Sequence, residues 1–266
     1  MALPAGAWWD ADEHPAWLAH GRTLKRPDWA VRHGLDEFGR WAEIEVKGIV
    51  QRFRWVPPGE FRMGSPDDEA ERRDNETLHS VVLTRGLWLA DTACTQALWR
   101  AVLGESPSHI EGDARPVEQV SWEDIVERFL PALNALVPGL AARLPTEAEW
   151  EYGCRAGTET PFWFGETITT DQVNYNGNYP YADGPKGEHR QRTVDVRALP
   201  ANGWGLSQMH GNVYEWCADW LGDYPREAVI DPTGPAAGRG RVLRGGAWFL
   251  IGRFLRSAFR YYYSPD

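Results

Sequence analysis

The stretch that most constrains this chain is its C-terminal run. It begins Arg241-Val242-Leu243-Arg244-Gly245-Gly246-Ala247-Trp248 and continues Phe249-Leu250-Ile251-Gly252-Arg253-Phe254-Leu255-Arg256-Ser257-Ala258-Phe259-Arg260-Tyr261-Tyr262-Tyr263. The first half reads as a rigid Gly-Gly frame. The second half carries large apolar and aromatic side chains broken by Arg, Gly and Ser, without a strict period. A half-buried strand alternates and an amphipathic helix repeats every three to four residues, and this run does neither. Aromatics on an Arg/Gly/Ser framework give large contact area at low entropy cost, the mark of a binding surface. An ordinary hydrophobic C-terminal strand and turn is the competing reading.

The rest of the chain decides what frame could carry such a run. Its 266 residues fit one large domain or two small ones, and 42% hydrophobic residues suffice for a sizeable core. No apolar run is long enough to cross a membrane. The N-terminus, Met1-Ala2-Leu3-Pro4-Ala5-Gly6-Ala7-Trp8-Trp9-Asp10, lacks the basic and apolar regions of a secretory leader, so a cytoplasmic protein is expected. Cys94, Cys154 and Cys217 are scattered, with no CxxC pair, which argues against a disulfide framework or a cysteine zinc site and fits a reducing compartment. The net charge of −10 argues against nucleic acid as a partner. Fifteen Trp, 27 Gly and 19 Pro point to a loop-rich fold pinned by aromatic anchors.

Residues 1–42 read as an N-terminal wrapping segment, with short helical pieces at 15–20 and 28–34, and 43–266 as the domain proper. Residues 43–56 alternate on either side of Lys47-Gly48, a hairpin signal. Pro57-Pro58-Gly59 breaks it, and short strands follow at 60–65, 81–84 and 86–90. The polar, acidic residues 66–77 are expected to form a surface loop. Three helices announce themselves by their caps: Thr95 before 96–103 with Gly104 behind, Ser121 with Asp124 before 122–130, and a Thr146/Glu149 capping box before 147–152. After Gly157 the chain is mostly loop, and a loop this long in a compact domain is usually functional or metal-braced.

Several separated segments, in order, resemble the formylglycine-generating enzyme (sulfatase-modifying factor) family. They are Pro57-Pro58-Gly59-Glu60-Phe61-Arg62-Met63-Gly64-Ser65, Arg115-Pro116-Val117-Glu118-Gln119-Val120-Ser121-Trp122, Arg143-Leu144-Pro145-Thr146-Glu147-Ala148-Glu149-Trp150-Glu151-Tyr152, Pro200-Ala201-Asn202-Gly203-Trp204-Gly205-Leu206, Met209-His210-Gly211-Asn212-Val213-Tyr214-Glu215-Trp216 and the Arg241–Trp248 frame. The resemblance implies an α+β, C-type-lectin-like fold of the formylglycine-generating-enzyme type, with small twisted antiparallel sheets, two or three helices and long irregular loops.

The family has three broad uses. Copper-dependent oxidation of a sulfatase cysteine needs a thiolate pair, a soft ligand set suited to Cu(I). The resemblance places that pair at Leu250 and Leu255, and neither leucine can ligate a metal. Iron-dependent sulfoxide synthesis needs histidines at ligand spacing, and none of the seven His makes such a pair; His109 and His189 fall in loops. The third use, in diversity-generating retroelement systems, is display of a hypervariable ligand-binding surface. There, randomised adenines in Asn codons cannot yield Lys, Glu, Gln, Met or Trp, and none of these occurs from Phe249 to Asp266.

The resemblance therefore implies a non-catalytic binding protein whose variable region spans about 247–266. Its diversified positions would be Phe249, Leu250, Ile251, Gly252, Phe254, Phe259, Tyr261, Tyr262 and Tyr263. The ligand is expected to be a protein with an apolar or aromatic surface, and the interspersed arginines are expected to brace backbone through carboxylates. The alternatives are a metal-dependent oxidase or oxygenase relative and a degenerate interaction module. No catalytic cofactor is expected. A structural calcium is implied at Gln208, Gly211, Val213 and Glu215, partly through carbonyl oxygens, and a second site starting at Asn174 and Tyr175 lacks its later carboxylate. The family usually continues past the position of Ser264-Pro265-Asp266 to a closing Gly-Phe-Arg strand.

Overall fold

The hairpin expected at 43–56 is the centre of the first sheet in the computed structural model, which describes residues 25–266. Strands β2 (Gly39–Val46) and β3 (Ile49–Val56) pair antiparallel, with Val46 opposite Ile49. The two turn residues take positive φ, 48° at Lys47 and 83° at Gly48, as a two-residue hairpin turn that matches the strand twist requires. β1 (Arg32–Asp36) adds on one side of this pair and β6 (Leu87–Ala90) on the other, giving the order β1-β2-β3-β6.

β1 corrects the helical piece expected at 28–34. Its sequence, Arg-His-Gly-Leu-Asp, has little strand propensity of its own, and pairing with β2 imposes the conformation. Arg32 Nε donates to Glu43 Oε2 at 2.7 Å across that pair. Gly34 is required because the Trp41 ring lies over it, 2.6 Å from where a Cβ would stand. The helix expected at 15–20 lies outside the described residues.

β4 (Gly59–Met63) and β5 (His79–Leu83) pair antiparallel, and the short β8 (Val229–Ile230) joins β5 in parallel. The third sheet has the order β10-β9-β7, from β7 (Glu215–Trp220), β9 (Arg241–Arg244) and β10 (Tyr261–Tyr263). The 66–77 segment between β4 and β5 is a surface loop as expected, with Asp67, Asp68, Ala70, Glu71, Arg73 and Asp74 exposed, but it turns Glu69 and Glu76 inward.

The three helices form where their caps predict. α1 (Gln96–Leu103) starts with the Leu98 amide on Thr95 Oγ1 at 3.1 Å and ends at Gly104 in the left-handed region. α3 (Glu147–Arg155) carries the full capping box between Thr146 and Glu149. The middle helix begins at Ser121 as expected but runs wide over Asp124–Phe129, where the Leu130 amide donates to Ile125 O, before continuing as α2 (Leu130–Leu136). Pro131 has no N–H to give the preceding turn, and a wide turn tolerates that loss. The helix therefore extends beyond the residue 130 expected.

Among the described residues the core is divided into separate apolar clusters. One packs Ile44 and Val46 of β2 against Leu98, Trp99, Phe129 and Leu133 of the helices. Another gathers Trp150 and Cys154 of α3, Leu206, Met209, Cys217 and Val242 beneath the third sheet. The long segment after Gly157 holds turns and isolated bridges. Its backbone is satisfied by buried amide side chains, as buried polar groups require. Asn202, fully buried, donates from Nδ2 to Gly153 O at 2.7 Å and accepts from the Trp204 and Leu206 amides. Asn174 Nδ2 donates to Arg192 O at 2.9 Å and Asn212 Oδ1 at 3.0 Å, and Asn212 in turn pairs with Val194 through both backbone groups.

The C-terminal surface and its frame

β9 delivers Arg244 into the interior, where its guanidinium is fully buried. Nη1 donates to Glu147 Oε1 at 3.0 Å, and Nη2 to Glu151 Oε2 and to Ser257 O. Glu147 and Glu151 stand four residues apart on α3, hence on one helix face. Arg260 reaches the same helix, with Nε on Glu147 Oε1 and Nη2 on Glu147 Oε2, both at 2.7 Å. Burial pushes the Glu147 carboxyl up, but Arg260 and Arg244 outweigh it and hold it below the usual carboxylate value.

Arg256 is held from the other side by the acidic 66–77 segment. Nη1 meets Glu69 Oε1 at 2.5 Å and Glu76 Oε2 at 2.7 Å, and Nη2 meets Glu76 Oε1 at 2.8 Å. The expectation that these arginines brace backbone through carboxylates holds for Arg244, Arg256 and Arg260, all buried. Arg253 is exposed, 3.7 Å from Glu71 and stacked on the Phe254 ring. The carboxylates that complete the frame were not picked out in the sequence. The signal available was the excess of Glu and Asp in 66–77 beside a run rich in Arg.

Between these anchors the Gly-Gly pair turns the chain out of β9. Gly245 and Gly246 sit at φ 85° and 77°, and a Cβ on Gly246 would stand 2.7 Å from Phe254 O. The Gly211 amide donates to Gly245 O at 2.7 Å and the Trp248 amide to Asn212 O at 3.0 Å. Further bonds from the Asn176 amide to Leu250 O and from the Gly252 amide to Tyr179 O fasten the run to the long loop.

Four of the nine expected display residues face solvent: Phe249, Tyr261, Tyr262 and Tyr263. Tyr261 stacks on Tyr214, ring centroids 5.5 Å apart and 18° between planes, and Phe249 lies edge-on to Trp248. Tyr179, 60% exposed, was missed in the sequence; its carbonyl holds the Gly252 amide beside this run. Leu250, Ile251 and Phe254 are half-buried, and Leu250 and Phe254 pack against a cluster of Phe162, Ile168, Val173, Tyr175, Tyr181 and Leu255. Gly252 and Phe259 are buried and present nothing to a ligand. A Cβ at Gly252 would strike the Tyr181 backbone at 2.5 Å, and Phe259 is covered by Phe254 and the Arg73 guanidinium.

The residues present do not fit a copper centre. Leu255 is fully buried in apolar contact, and Leu250 flanks the same cluster. Cys154 lies 3.7 Å from His210 Nε2, but burial pushes its thiol up to about 12 and the imidazole down to about 4. His210 is neutral, with Nδ1 donating to Leu255 O at 2.7 Å and Nε2 accepting from the Trp163 amide. Among the described residues no three His, Cys, Asp or Glu gather as metal ligands.

The expected calcium loop fits a hard cation in part. Among the described residues Gln208 Oε1 is buried without a hydrogen-bond partner while Nε2 donates to Asp195 O, and Asn174 Oδ1 is likewise unpartnered. Glu215 Oε2 accepts from Trp150 Nε1 at 2.8 Å, and burial pushes its carboxyl up to about 7.

The comparisons with known proteins agree with this architecture. Residues 41–266 match the sulfatase-modifying factor enzyme 1-like domain. The formylglycine-generating enzyme of Mus musculus is 34% identical over 198 residues, covering 71% of this chain and 50% of the enzyme. That of Thermomonospora curvata is 35% identical over 269 residues, covering 93% and 82%. The chain spans about half the length of the mouse, cattle and Streptomyces coelicolor enzymes it matches. Among solved structures, Treponema denticola variable protein 1 superposes with a TM-score of 0.70 at 26% identity, over 85% of this chain and 94% of its own. PvdO from Pseudomonas aeruginosa gives 0.69 at 26% identity, over 85% and 93%. The fold is α+β and C-type-lectin-like, and the chain belongs to the sulfatase-modifying factor enzyme 1-like family.

Proposed function

We propose that this chain is a non-catalytic ligand-binding protein that displays a surface diversified by a retroelement. The observation that carries this reading is the division of labour in the C-terminal run. Buried Arg244, Arg256 and Arg260 lock the backbone, while Phe249 and Tyr261–Tyr263 project outward. The likeness to Treponema denticola variable protein 1 supports it, as do leucines where an oxidase of this family needs thiolates. A preorganised patch lowers the ordering cost of binding, and exposed aromatics supply its anchors. The ligand is accordingly a protein with an apolar or aromatic surface. The three free cysteines suit a reducing, cytoplasmic setting. Tyr262→Ala and Phe249→Ala should each weaken capture of the cognate partner about tenfold or more with an unchanged melting temperature. Turnover of a sulfatase-derived cysteine peptide by the copper-loaded protein would contradict the reading.

Calcium at Gln208, Gly211, Val213 and Glu215 is part of the proposal, as a structural ion bracing the loop that receives Gly245. The unpartnered Gln208 oxygen supports it. Adding Ca²⁺ to chelator-treated protein should raise the melting temperature, and Gln208→Leu should abolish that rise. An identical melting temperature with and without Ca²⁺ would remove calcium from the account.

A further inference from the structure

The helical layer does not close completely on the first sheet. A cavity of 490 Å³ lies between β2, β3 and β6 on one side and α1 and α2 on the other, and the 213–216 segment contributes to its wall. That volume falls within the range of small-molecule sites, about 300–1,000 Å³. Its wall is largely apolar, with Ile44, Phe53, Leu98, Phe129 and Leu133 among its residues. None of the nine expected display positions lines it.

One wall residue is chemically incomplete. Trp99 is 2% exposed and its indole Nε1 has no hydrogen-bond partner among the described residues. The ring is stacked on Phe129 with centroids 4.6 Å apart and 2° between planes, so packing fixes its orientation. A buried donor left unpaired costs about 1–3 kcal/mol, so this one calls for a partner. Among the described residues the cavity also offers no free positive charge. The guanidinium of Arg143, at the wall, is engaged by both Glu149 oxygens at 2.7 and 2.6 Å.

We propose that this cavity is a binding site for an uncharged, apolar small molecule that carries one hydrogen-bond acceptor, a ketone or ester carbonyl, directed to the Trp99 indole N–H. The apolar wall supplies affinity through desolvation, and the single donor supplies orientation. A carboxylate of the same shape is rejected because its charge finds no partner.

Benzophenone tests this on the full chain, since it is apolar, neutral, has one carbonyl, and labels neighbouring C–H bonds on irradiation. It should bind, and its photoadducts should map to peptides containing Leu98–Trp99 or Phe129–Leu133. Diphenylmethane, which lacks the carbonyl, should bind about tenfold more weakly, and 4-benzoylbenzoate should not compete. In Trp99→Phe the difference between benzophenone and diphenylmethane should vanish. No binding of benzophenone up to its solubility limit, adducts confined to other peptides, equal binding of diphenylmethane to the native chain, or equal binding of the carboxylate would each overturn the proposal. Should Trp99→Phe fail to fold, the three-probe comparison and the adduct map on the native chain decide alone.

Discussion

At the scale of single residues, the fold rests on guanidinium groups taken out of water. Arg244 is enclosed with carboxylates and main-chain carbonyls that together satisfy both its terminal nitrogens. Such a pair gains little over a well-packed apolar substitute, but removing one partner leaves buried charge and carbonyls unmet, a cost of about 3–5 kcal/mol. Arg244→Leu should therefore lower unfolding free energy by that amount in urea titration. Arg253→Leu, at an exposed site, should change it by no more than about 0.5 kcal/mol. Equal effects of the two substitutions would show that the buried cluster is not what holds the run. The arginines were legible in the sequence as bracing groups, because a guanidinium fork can pair with carboxylates and support irregular backbone. Their partners were not legible. Glu69 and Glu76 sit in a polar segment whose composition reads as surface, and only the fold brings them to Arg256.

At the scale of elements, local chemistry predicted what local chemistry controls. The Thr146/Glu149 capping box, the Thr95 cap with Gly104, and the Lys47-Gly48 turn all form as the sequence indicates, since each is satisfied within a few residues. β1 and the wide turn before Pro131 were missed, because one depends on a partner strand and the other on how the helix accommodates a missing amide. The two kinds of glycine illustrate the difference. Gly48 has positive φ but open space around its Cβ position, whereas Gly246 has positive φ and Phe254 O at 2.7 Å. Gly48→Ala should cost about 1 kcal/mol from backbone conformation alone. Gly246→Ala adds a collision with fixed backbone and should cost clearly more, about 2–4 kcal/mol, in the same unfolding assay. Equal costs would mean that the Gly-Gly frame yields where the structure has it rigid.

At the scale of the whole molecule, three small sheets and three helices among the described residues support a long irregular segment and an outward-facing C-terminal run. Stability is spread over separate apolar clusters and buried polar networks, which leaves the outer faces of β10 and of the Phe249 turn free of structural duty. This separation is what the proposed diversification needs, since substitutions at the surface must not unfold the frame. It also narrows the set of positions able to vary, because Gly252 and Phe259 are committed to packing. The measurement that tests the account most directly is deep sequencing of the 3′ end of the gene across many cells, with its flanking DNA. The account predicts a nearby near-copy and differences confined to adenine positions, falling on Phe249, Ile251, Phe254 and Tyr261–Tyr263, with Gly252 and Leu255–Arg260 constant. An invariant 3′ end with no template repeat would contradict it and return the aromatic run to a fixed interface.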